Sequence, residues 1–253
     1  MKVNIVASGS SGNCSFIEDE NTIIFIDIGI SMRRLADKVN VEKFNKKELF
    51  LFITHEHSDH IIGLKSFLRK FKPVVFTSEG TASYLEQKGY DVNNFYILKR
   101  DRLYNLSKFK VAPFNIPHDS FEPLGYKFFF GEKKLTFATD FGATSNYLLD
   151  YLNDNNFLLL ESNYEDTLLF GGKYHKSLKR RIASIKGHLS NKEVFNLIYK
   201  LNTSKIDKIY LGHISEDNND YNIVKRYVNM CAKYFYLDIG YIKQKVSLFD
   251  INI

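Results

Sequence analysis

Short apolar segments recur along the chain, and six of them run directly into a residue that can bind a metal ion or carry a proton. Segments of this kind, rich in β-branched and aromatic residues, predict buried strands. The residues at their ends are Asp27, His55, His118, Asp140, Glu161 and His213. In layered α/β proteins, side chains that bind ligands or carry chemistry collect beyond the carboxyl ends of strands. The pattern therefore predicts a functional site built from strand ends.

Helical periodicity appears between several of these strands. Apolar side chains at positions 64, 67, 68 and 71 predict an amphipathic helix that follows His60 and ends before Pro73. Ser190 and Glu193 have the spacing of a capping box, which predicts the start of another helix. Strands and helices therefore alternate, as they do in α/β proteins.

The two ends of the chain are predicted to be β-structure, with a meander over residues 3–27 and a closing strand over residues 241–249. The sequence contains no internal repeat, low-complexity tract or linker. A length of 253 residues is compatible with one large domain. We therefore predict a single domain spanning residues 1–253.

The segment 54–60, Thr-His-Glu-His-Ser-Asp-His, holds three imidazoles and an aspartate directly after the predicted strand 49–53. Neutral imidazole and carboxylate groups are ligands for zinc, and they also suit manganese and iron. One short loop cannot wrap four side chains around one ion at tetrahedral angles. We therefore expect His55 and His57 to face one metal ion, and Asp59 and His60 to face a second. The alternative is that these histidines cap a strand at the surface, which so dense a cluster disfavours.

The composition is that of a soluble globular enzyme, with 44% hydrophobic and 25% charged residues. Thirty-five Lys and Arg residues against 29 Asp and Glu residues give a net charge of +6, which favours a polyanionic partner. A solvated lysine-rich surface would explain the same excess. Cys14 and Cys231 have no metal-binding or redox spacing, so we expect reduced thiols and a cytoplasmic location. Neither a signal peptide nor a membrane span is expected.

The spacing His-x-His-x-Asp-His after an apolar strand resembles the signature of the metallo-β-lactamase fold superfamily. The rest of that pattern follows in order, with Asp27 upstream of the loop and His118, Asp140 and His213 downstream. The resemblance implies an α/β (α+β) fold, a four-layer αββα sandwich in which two mixed sheets are flanked by helices. The matching positions span residues from about 2 to about 215.

The resemblance, together with the loop geometry, also implies which side chains hold two divalent metal ions, Zn²⁺ or Mn²⁺. The first ion is expected on His55, His57 and His118, and the second on Asp59, His60 and His213, with Asp140 bridging the two. Asp27 is expected to steady the loop by hydrogen bonding, which affects metal affinity substantially. Paired divalent ions lower the pKa of a shared water and stabilise the attacking and leaving oxygens of a displacement.

Other residues point to one branch of this superfamily. Di-iron oxygen reductases of this fold place Glu where this chain has His57, so redox chemistry is disfavoured. Glu161-Ser162-Asn163 and Gly187-His188-Leu189-Ser190 resemble motifs of the nucleic-acid-processing branch, where Glu and His pass a proton to the leaving oxygen. The catalytic residues are thus expected to be Asp59, Glu161 and His188. The alternative for His188 is a helix-end histidine bonded to the main chain.

Three consecutive cations, Lys179, Arg180 and Arg181, lie between these two motifs in the sequence. Arginine binds phosphate through two parallel hydrogen bonds, and each neutralised phosphate releases counterions. The three residues are therefore candidates for binding a nucleic-acid backbone. A solvent-facing helix edge is the competing interpretation.

These motifs, with the Gly-Ser-Ser-Gly-Asn segment at 9–13, are similar to a bacterial family of stand-alone exonucleases of the YycJ or WalJ type. The resemblance implies a 5′-to-3′ exonuclease that prefers DNA to RNA, with a role in DNA repair. Asp140 and Glu161 are too close in sequence for the long exosite arm of many tRNA 3′-processing enzymes. Two alternatives stay open, a hydrolase of small thioesters, lactones or cyclic phosphodiesters, and a metal-binding module without catalysis. The sequence leaves the oligomeric state open.

Overall fold

The computed structural model describes residues 1–244 and 249–253. The chain divides into two compact units. The first contains residues 1–99, 120–124 and 244–253, and the second contains residues 100–119 and 125–243. Each unit has its own mixed sheet and its own buried core. The prediction of a single domain over residues 1–253 stays a prediction.

The strands and helices of the two units are numbered together along the chain. The strands are β1 (Lys2–Ala7), β2 (Cys14–Glu18), β3 (Thr22–Ile26), β4 (Glu48–Phe52), β5 (Val74–Thr77), β6 (Phe95–Ile97), β7 (Tyr104–Leu106), β8 (Phe109–Asn115), β9 (Leu124–Phe130), β10 (Lys133–Ala138), β11 (Asn155–Glu161), β12 (Ile206–Gly212), β13 (Asp238–Tyr241) and β14 (Phe249–Asn252). The α-helices are α1 (Met32–Ala36), α2 (Ser58–Ile61), α3 (Leu64–Phe71), α4 (Glu79–Gln87), α5 (Asn146–Leu152), α6 (Asp166–Gly171), α7 (Lys176–Ile182), α8 (Asn191–Lys200) and α9 (Tyr221–Phe235). Short 3₁₀ helices cover Val41–Lys46 and Thr203–Lys205.

The described residues of the first unit form a seven-stranded sheet in the order β14-β1-β2-β3-β4-β5-β6. Strands β14 to β3 pair antiparallel, and β3 to β6 pair parallel. Phenylalanine rings from β2, β3 and α3 meet in the core, with Phe25 centred 5.1 Å from Phe16 and 4.8 Å from Phe67. Ile26 of β3 pairs with Phe52 of β4, so the segments that follow these parallel strands leave from the same edge. Asp27 and the loop 54–60 begin there.

The described residues of the second unit form a seven-stranded sheet in the order β13-β12-β11-β10-β9-β8-β7. Strands β10 to β13 are parallel, whereas β10 pairs antiparallel with β9. The continuous apolar run of β11, buried throughout, is typical of a parallel strand covered on both faces. Ala138 pairs with Leu160, and Glu161 pairs with Gly212. Asp140, Glu161 and His213 consequently emerge at one edge of this sheet.

The predicted α/β class, with two mixed sheets flanked by helices, is confirmed. The predicted helix after His60 is also confirmed, and it is divided at Gly63 into α2 and α3. Helix α5 was not predicted, because its buried residues are few and neighbouring polar residues obscure the helical period. The predicted closing strand over 241–249 is wrong at its start, since β13 ends at Tyr241, and residues 245–248 lie outside the described residues.

Both cysteines are buried free thiols, as expected from their spacing. Burial raises the pKa of the Cys14 thiol far above its ordinary value and raises the pKa of Cys231 to about 12. Both therefore behave as small apolar residues rather than nucleophiles.

Within the described part of the chain, no helix combines the length and the apolar character needed to cross a membrane.

Candidate active site

The loop 54–60 of the first unit gathers its histidines closely. His57 is the N-cap of α2, so the chain turns sharply between His55 and His60. The ring of His55 is centred 4.6 Å from that of His57 and 4.0 Å from that of His60. His55 and His60 are fully buried, whereas His57 and Asp59 are partly exposed. The predicted clustering of these four side chains is present in the structure.

A buried carboxylate, Asp27, holds this loop from the end of β3. Its Oδ1 accepts from the main-chain N–H of Thr54 (2.8 Å), and its Oδ2 accepts from Thr54 Oγ1 (2.8 Å) and from His60 Nδ1 (2.7 Å). Because the Thr54 hydroxyl gives its proton to Asp27, it accepts from His55 Nδ1 at 3.0 Å. Both imidazoles thus carry their proton on Nδ1 and present Nε2 as an acceptor. This is the tautomer that binds a metal ion through Nε2.

Burial raises the pKa of the Asp27 carboxyl, while His60 and Thr54 act in the opposite direction. Burial likewise raises the pKa of Glu161 in the second unit, against the opposing effect of His188. Each carboxyl therefore depends on its imidazole partner to stay ionised.

Asn13 braces the same loop from the turn between β1 and β2. Its main-chain N–H donates to Asp59 O (2.7 Å), and its side-chain Nδ2 donates to Asp59 Oδ2 (3.1 Å) and His60 Nε2 (3.0 Å). Gly29 packs so tightly here that a Cβ atom would lie 1.6 Å from Asp59 O. The segment 9–13 stands out in the sequence only as a Gly/Ser motif, and an Asn that follows two turn glycines is the sequence signal for this role.

The donor set of this loop fits a divalent cation. The acceptor atoms of Asp59 and His60 converge on a single donor, the Asn13 amide, so their lone pairs point to a shared position. Carboxylate oxygen and imidazole nitrogen are ligands that Zn²⁺ and Mn²⁺ accept. Three imidazoles concentrated in a buried turn would be costly without such a partner.

In the second unit, Asp140 and His213 follow β10 and β12 in a left-handed backbone conformation. Their φ angles are 63° and 48°, and Asp27 of the first unit has the same conformation with φ 59°. Left-handed φ is uncommon outside glycine, although Asp, Asn and His tolerate it best. It turns the side chain away from the direction it would take in an extended strand. His213 Nε2 accordingly lies 3.2 Å from Asp140 Oδ1.

Glu161, at the end of β11, is fully buried and joins two parts of this cluster. Its Oε1 accepts from the main-chain N–H of Phe141 at 2.5 Å, and its Oε2 lies 2.9 Å from His188 Nδ1. His213 Nδ1 lies 3.8 Å from the same Oε2. The predicted pairing of Glu161 with His188 is therefore present in the structure, and Glu161, His188 and His213 each place a ligand atom within 4.8 Å of the others.

The turn after α7 positions His188. Its main-chain N–H donates to Ile182 O at 2.8 Å, and Gly187 packs so closely that a Cβ atom would lie 2.1 Å from the same oxygen. The ring stacks on that of His213, with centroids 5.1 Å apart and planes inclined by 23°. The His188 side chain is 19% exposed, so it is within reach of solvent and substrate.

His118 follows β8 and belongs to the same cluster. Its Nδ1 donates to Gly187 O at 3.2 Å, which leaves Nε2 as the acceptor. The ring is centred 5.3 Å from that of His188. In the second unit the structure therefore brings together His118, Asp140, Glu161, His188 and His213, all of them predicted.

An amide network that sequence analysis did not assign supports this cluster. Asn163 Nδ2 donates to His213 O (3.0 Å) and to His213 Nδ1 (3.1 Å). These two contacts fix the orientation of the His213 imidazole and of its main-chain carbonyl group. Asn219 Nδ2 donates to Ser162 O (2.9 Å) and Asn163 O (3.1 Å), which holds the turn after β11.

The basic triplet occupies α7, and its three members differ. Lys179 Nζ donates to Phe170 O (2.8 Å) and Gly172 O (2.6 Å), where it satisfies carbonyls at the end of α6. Arg181 Nε donates to Asp119 Oδ2 at 2.5 Å, and Arg180 is exposed. Lys179 and Arg181 are thus engaged by groups of the protein itself.

Replacing Asp27 with asparagine is expected to lower metal affinity about 10- to 100-fold, as loss of an orienting hydrogen bond does at other metal sites. Asn tolerates the left-handed φ, but its amide would donate to His60 Nδ1 and push the proton to Nε2. Competition with a chelator measures the change. The Asp91→Asn variant, altered in an exposed turn, is the matched control. An affinity equal to that of the unmodified protein would contradict this role for Asp27.

Comparisons with known proteins agree with this geometry. Residues 22–214 match the model of the Beta-lactamase superfamily domain. The chain is 30% identical over 223 residues to exodeoxyribonuclease WalJ of Streptococcus pneumoniae, covering 86% of this chain and 83% of that protein. It is also 30% identical over 219 residues to exodeoxyribonuclease YycJ of Bacillus anthracis, covering 85% and 83%.

Among solved structures, the metallo-beta-lactamase fold protein YhfI from Bacillus subtilis matches with a TM-score of 0.74. The two chains are 12% identical, and 99% of each is covered. This likeness extends to the fold alone. The match to the superfamily domain and the His/Asp clusters together indicate binding of divalent metal.

Proposed function

The chain belongs to the β-lactamase superfamily and, within it, to the family of the WalJ and YycJ exodeoxyribonucleases, and from this membership we propose that it is a metal-dependent phosphodiesterase acting on nucleic acid. The more specific form of the proposal is a 5′-to-3′ DNA exonuclease that prefers DNA to RNA. Two relatives named exodeoxyribonuclease, each covered over most of its length, support this choice.

We propose that two divalent ions, Zn²⁺ or Mn²⁺, are held by the predicted ligands. His55, His57 and His118 would hold the first, Asp59, His60 and His213 the second, and Asp140 would bridge them. Bound there, the ions would supply a water of lowered pKa and positive charge opposite the developing negative charge. The orientation of the imidazoles by Asp27, Thr54 and Gly187 O supports this assignment.

The contact between Glu161 and His188 carries the proposal. Glu161 accepts from His188 Nδ1 at 2.9 Å, so the imidazole is held in one orientation. His188 Nε2 is then the atom that gives a proton to the departing oxygen. Phosphodiesters need this assistance because an alkoxide is a poor leaving group. Asp59 is the third catalytic residue of the proposal, by its position in the metal loop.

The substrate backbone is proposed to bind beside this pair. Arg180 is exposed and charged, and Arg181 lies at the same end of α7, immediately before the turn that carries His188. Arginine neutralises phosphate and releases counterions. Lys179 is retained as a weaker candidate because its ammonium holds the end of α6.

We propose that residues 1–253 act as one domain, that the protein works in the cytoplasm, and that its activity serves DNA repair. The free thiols of both cysteines are consistent with a cytoplasmic location, and so is a DNA substrate.

A substrate panel tests the proposed function. Single- and double-stranded DNA and RNA, labelled at the 5′ or 3′ end, would be incubated with protein loaded with Zn²⁺ or Mn²⁺. We expect release of short products from the 5′ end of DNA, with binding that weakens steeply as salt rises. Intact DNA and RNA with both metals would contradict the proposal. Turnover of thioesters, lactones or cyclic phosphodiesters that is insensitive to salt would favour the small-molecule alternative.

A further inference from the structure

Phe121 is an exposed aromatic residue beside the metal loop that none of the roles above uses. Its side chain is 61% exposed, although the segment 120–124 that carries it belongs to the first unit and is held firmly there. An aromatic ring that is mostly exposed buries little apolar surface on folding. Such a ring is suited to a contact with another molecule.

The main chain of Phe121 is fastened on both of its polar groups. Its N–H donates to Glu56 Oε1 at 2.8 Å, and its carbonyl oxygen accepts from Thr81 Oγ1 at 3.2 Å. Glu56 lies between His55 and His57 in the sequence, and its side chain is buried. Its second carboxylate oxygen, Oε2, accepts from Thr81 Oγ1 at 3.4 Å. A residue of the metal loop that binds no metal in the proposed assignment therefore sets the position of Phe121.

The neighbours of Phe121 along the chain are fixed as well. Glu122 Oε2 accepts from Gly80 N at 3.0 Å, and Leu124 N donates to Thr54 O at 3.0 Å. Gly80 permits this approach, because a Cβ atom there would lie 2.8 Å from Phe121 O. The carboxylate of Glu122 is held at the N-terminus of α4, where the helix dipole offsets its charge.

The ring has an aromatic and a cationic neighbour. Tyr84 of α4 lies 6.0 Å away between centroids, with the planes inclined by 30°. Lys88 Nζ lies 5.3 Å from the centroid of Tyr84. Lys88, Tyr84 and Phe121 are thus successive neighbours, and the main chain of Phe121 contacts Glu56 of the metal loop. Aromatic faces next to cations are the features that bind unpaired bases of nucleic acid, because every base has a π face and every nucleotide a phosphate.

We propose that Phe121 is the stacking platform for a nucleobase at the end of the strand being degraded, and that Glu56 is the positioning residue that keeps it beside the metal loop. This inference rests on the proposed nuclease function. The inference predicts that the site prefers a terminal nucleotide that carries its base over an abasic one. An apolar protein partner fits less well, because Ser120 and Glu122, on either side of Phe121 in the sequence, are polar.

The test compares Phe121→Ala, Phe121→Leu and Phe121→Trp on two DNA strands, one with all its bases and one whose terminal nucleotides are abasic. On the intact strand we expect the alanine and leucine variants to raise KM about 5- to 100-fold, with kcat changed less than about threefold. The tryptophan variant should stay within about threefold of the unmodified protein. On the abasic strand all four proteins should have similar KM values.

Two further variants test the positioning role of Glu56. Glu56→Gln keeps an oxygen that accepts from Phe121 N, so it should retain the low KM, whereas Glu56→Ala should raise KM as Phe121→Ala does. Metal content is measured on both, and unchanged content separates this role from damage to the metal loop. Tyr199→Ala, at an exposed aromatic residue of α8, is the control for loss of any surface ring.

The outcomes distinguish this inference from the function on which it rests. If the unmodified protein leaves every DNA and RNA strand intact, the nuclease proposal fails. If it degrades DNA and the Phe121→Leu variant, which keeps an apolar side chain, has the same KM on the intact strand, the platform is overturned. Equal losses for the alanine variant on intact and abasic strands would also overturn it, because the contact would not involve the base.

Discussion

Replacing His188 with alanine is expected to lower kcat about 10²- to 10⁴-fold while the protein keeps its metal. The imidazole is oriented by Glu161 at 2.9 Å and is partly open to solvent, which is the arrangement a proton donor needs. In the proposed assignment His188 is not a ligand, so its removal should leave the metal content unchanged. Single-turnover rates on labelled DNA and metal analysis of the same samples measure both quantities.

The control for this variant is His175→Ala. His175 is exposed, caps α7 through Ser177, and is the histidine outside the predicted site. Its loss should change the rate by less than about twofold. A His188→Ala protein that cleaves DNA within a factor of ten of the unmodified rate would remove the proton-transfer role. Loss of metal in that variant would instead make His188 a ligand.

The Gly29→Ala variant is expected to lose at least two orders of magnitude in activity, although it alters no ligand. The new Cβ atom would lie 1.6 Å from Asp59 O and 2.6 Å from Asn13 N, so the main chain of the metal loop must move. A displacement of about 1 Å in a catalytic group can cost about 100-fold. Overpacking of this kind also destabilises a fold by about 1–3 kcal/mol.

Chelator competition, thermal unfolding and cleavage rate should be measured together on this variant. Gly171→Ala is the matched substitution, because a Cβ atom there meets no neighbour within 4 Å and φ is not left-handed. It should leave all three properties near those of the unmodified protein. Normal metal affinity in Gly29→Ala would show that the close approach of Gly29 to Asp59 has no part in holding the metal loop.

The strand ends that carry the site were predictable, because each apolar segment that predicts a strand stops at or near a residue that can bind a metal ion or carry a proton. Polar residues stand at the ends of β3, β4, β10, β11 and β12 or within three residues beyond them, and this is visible in the sequence. Parallel pairing then brings the ends within each unit to one edge. The gathering of each group of side chains follows from topology and needs no detail of packing.

The supporting contacts were not predictable in the same way. Asn13, Thr54 and Asn163 are common polar residues, and their roles depend on partner atoms that lie far away in sequence. Lys179 is a residue whose charge suggested a different contact from the one it makes in the structure. Its charge suggested phosphate binding, whereas its ammonium group donates to two carbonyls at the end of a helix. Periodicity reports which face of an element is buried, but not which carbonyl a side chain reaches.

Two separate requirements apply to Asp27, Asp140 and His213. The backbone must adopt a left-handed φ, and the side chain must take part in the proposed metal site. Their left-handed φ would be adopted at less cost by glycine, and at a similar cost by asparagine. Selection for thermal stability alone would thus drive these positions towards glycine, which has no side chain to hold a cation or to orient a ligand. At these three positions an uncommon backbone conformation coincides with a functional side chain, so gains in robustness must be sought elsewhere in the protein.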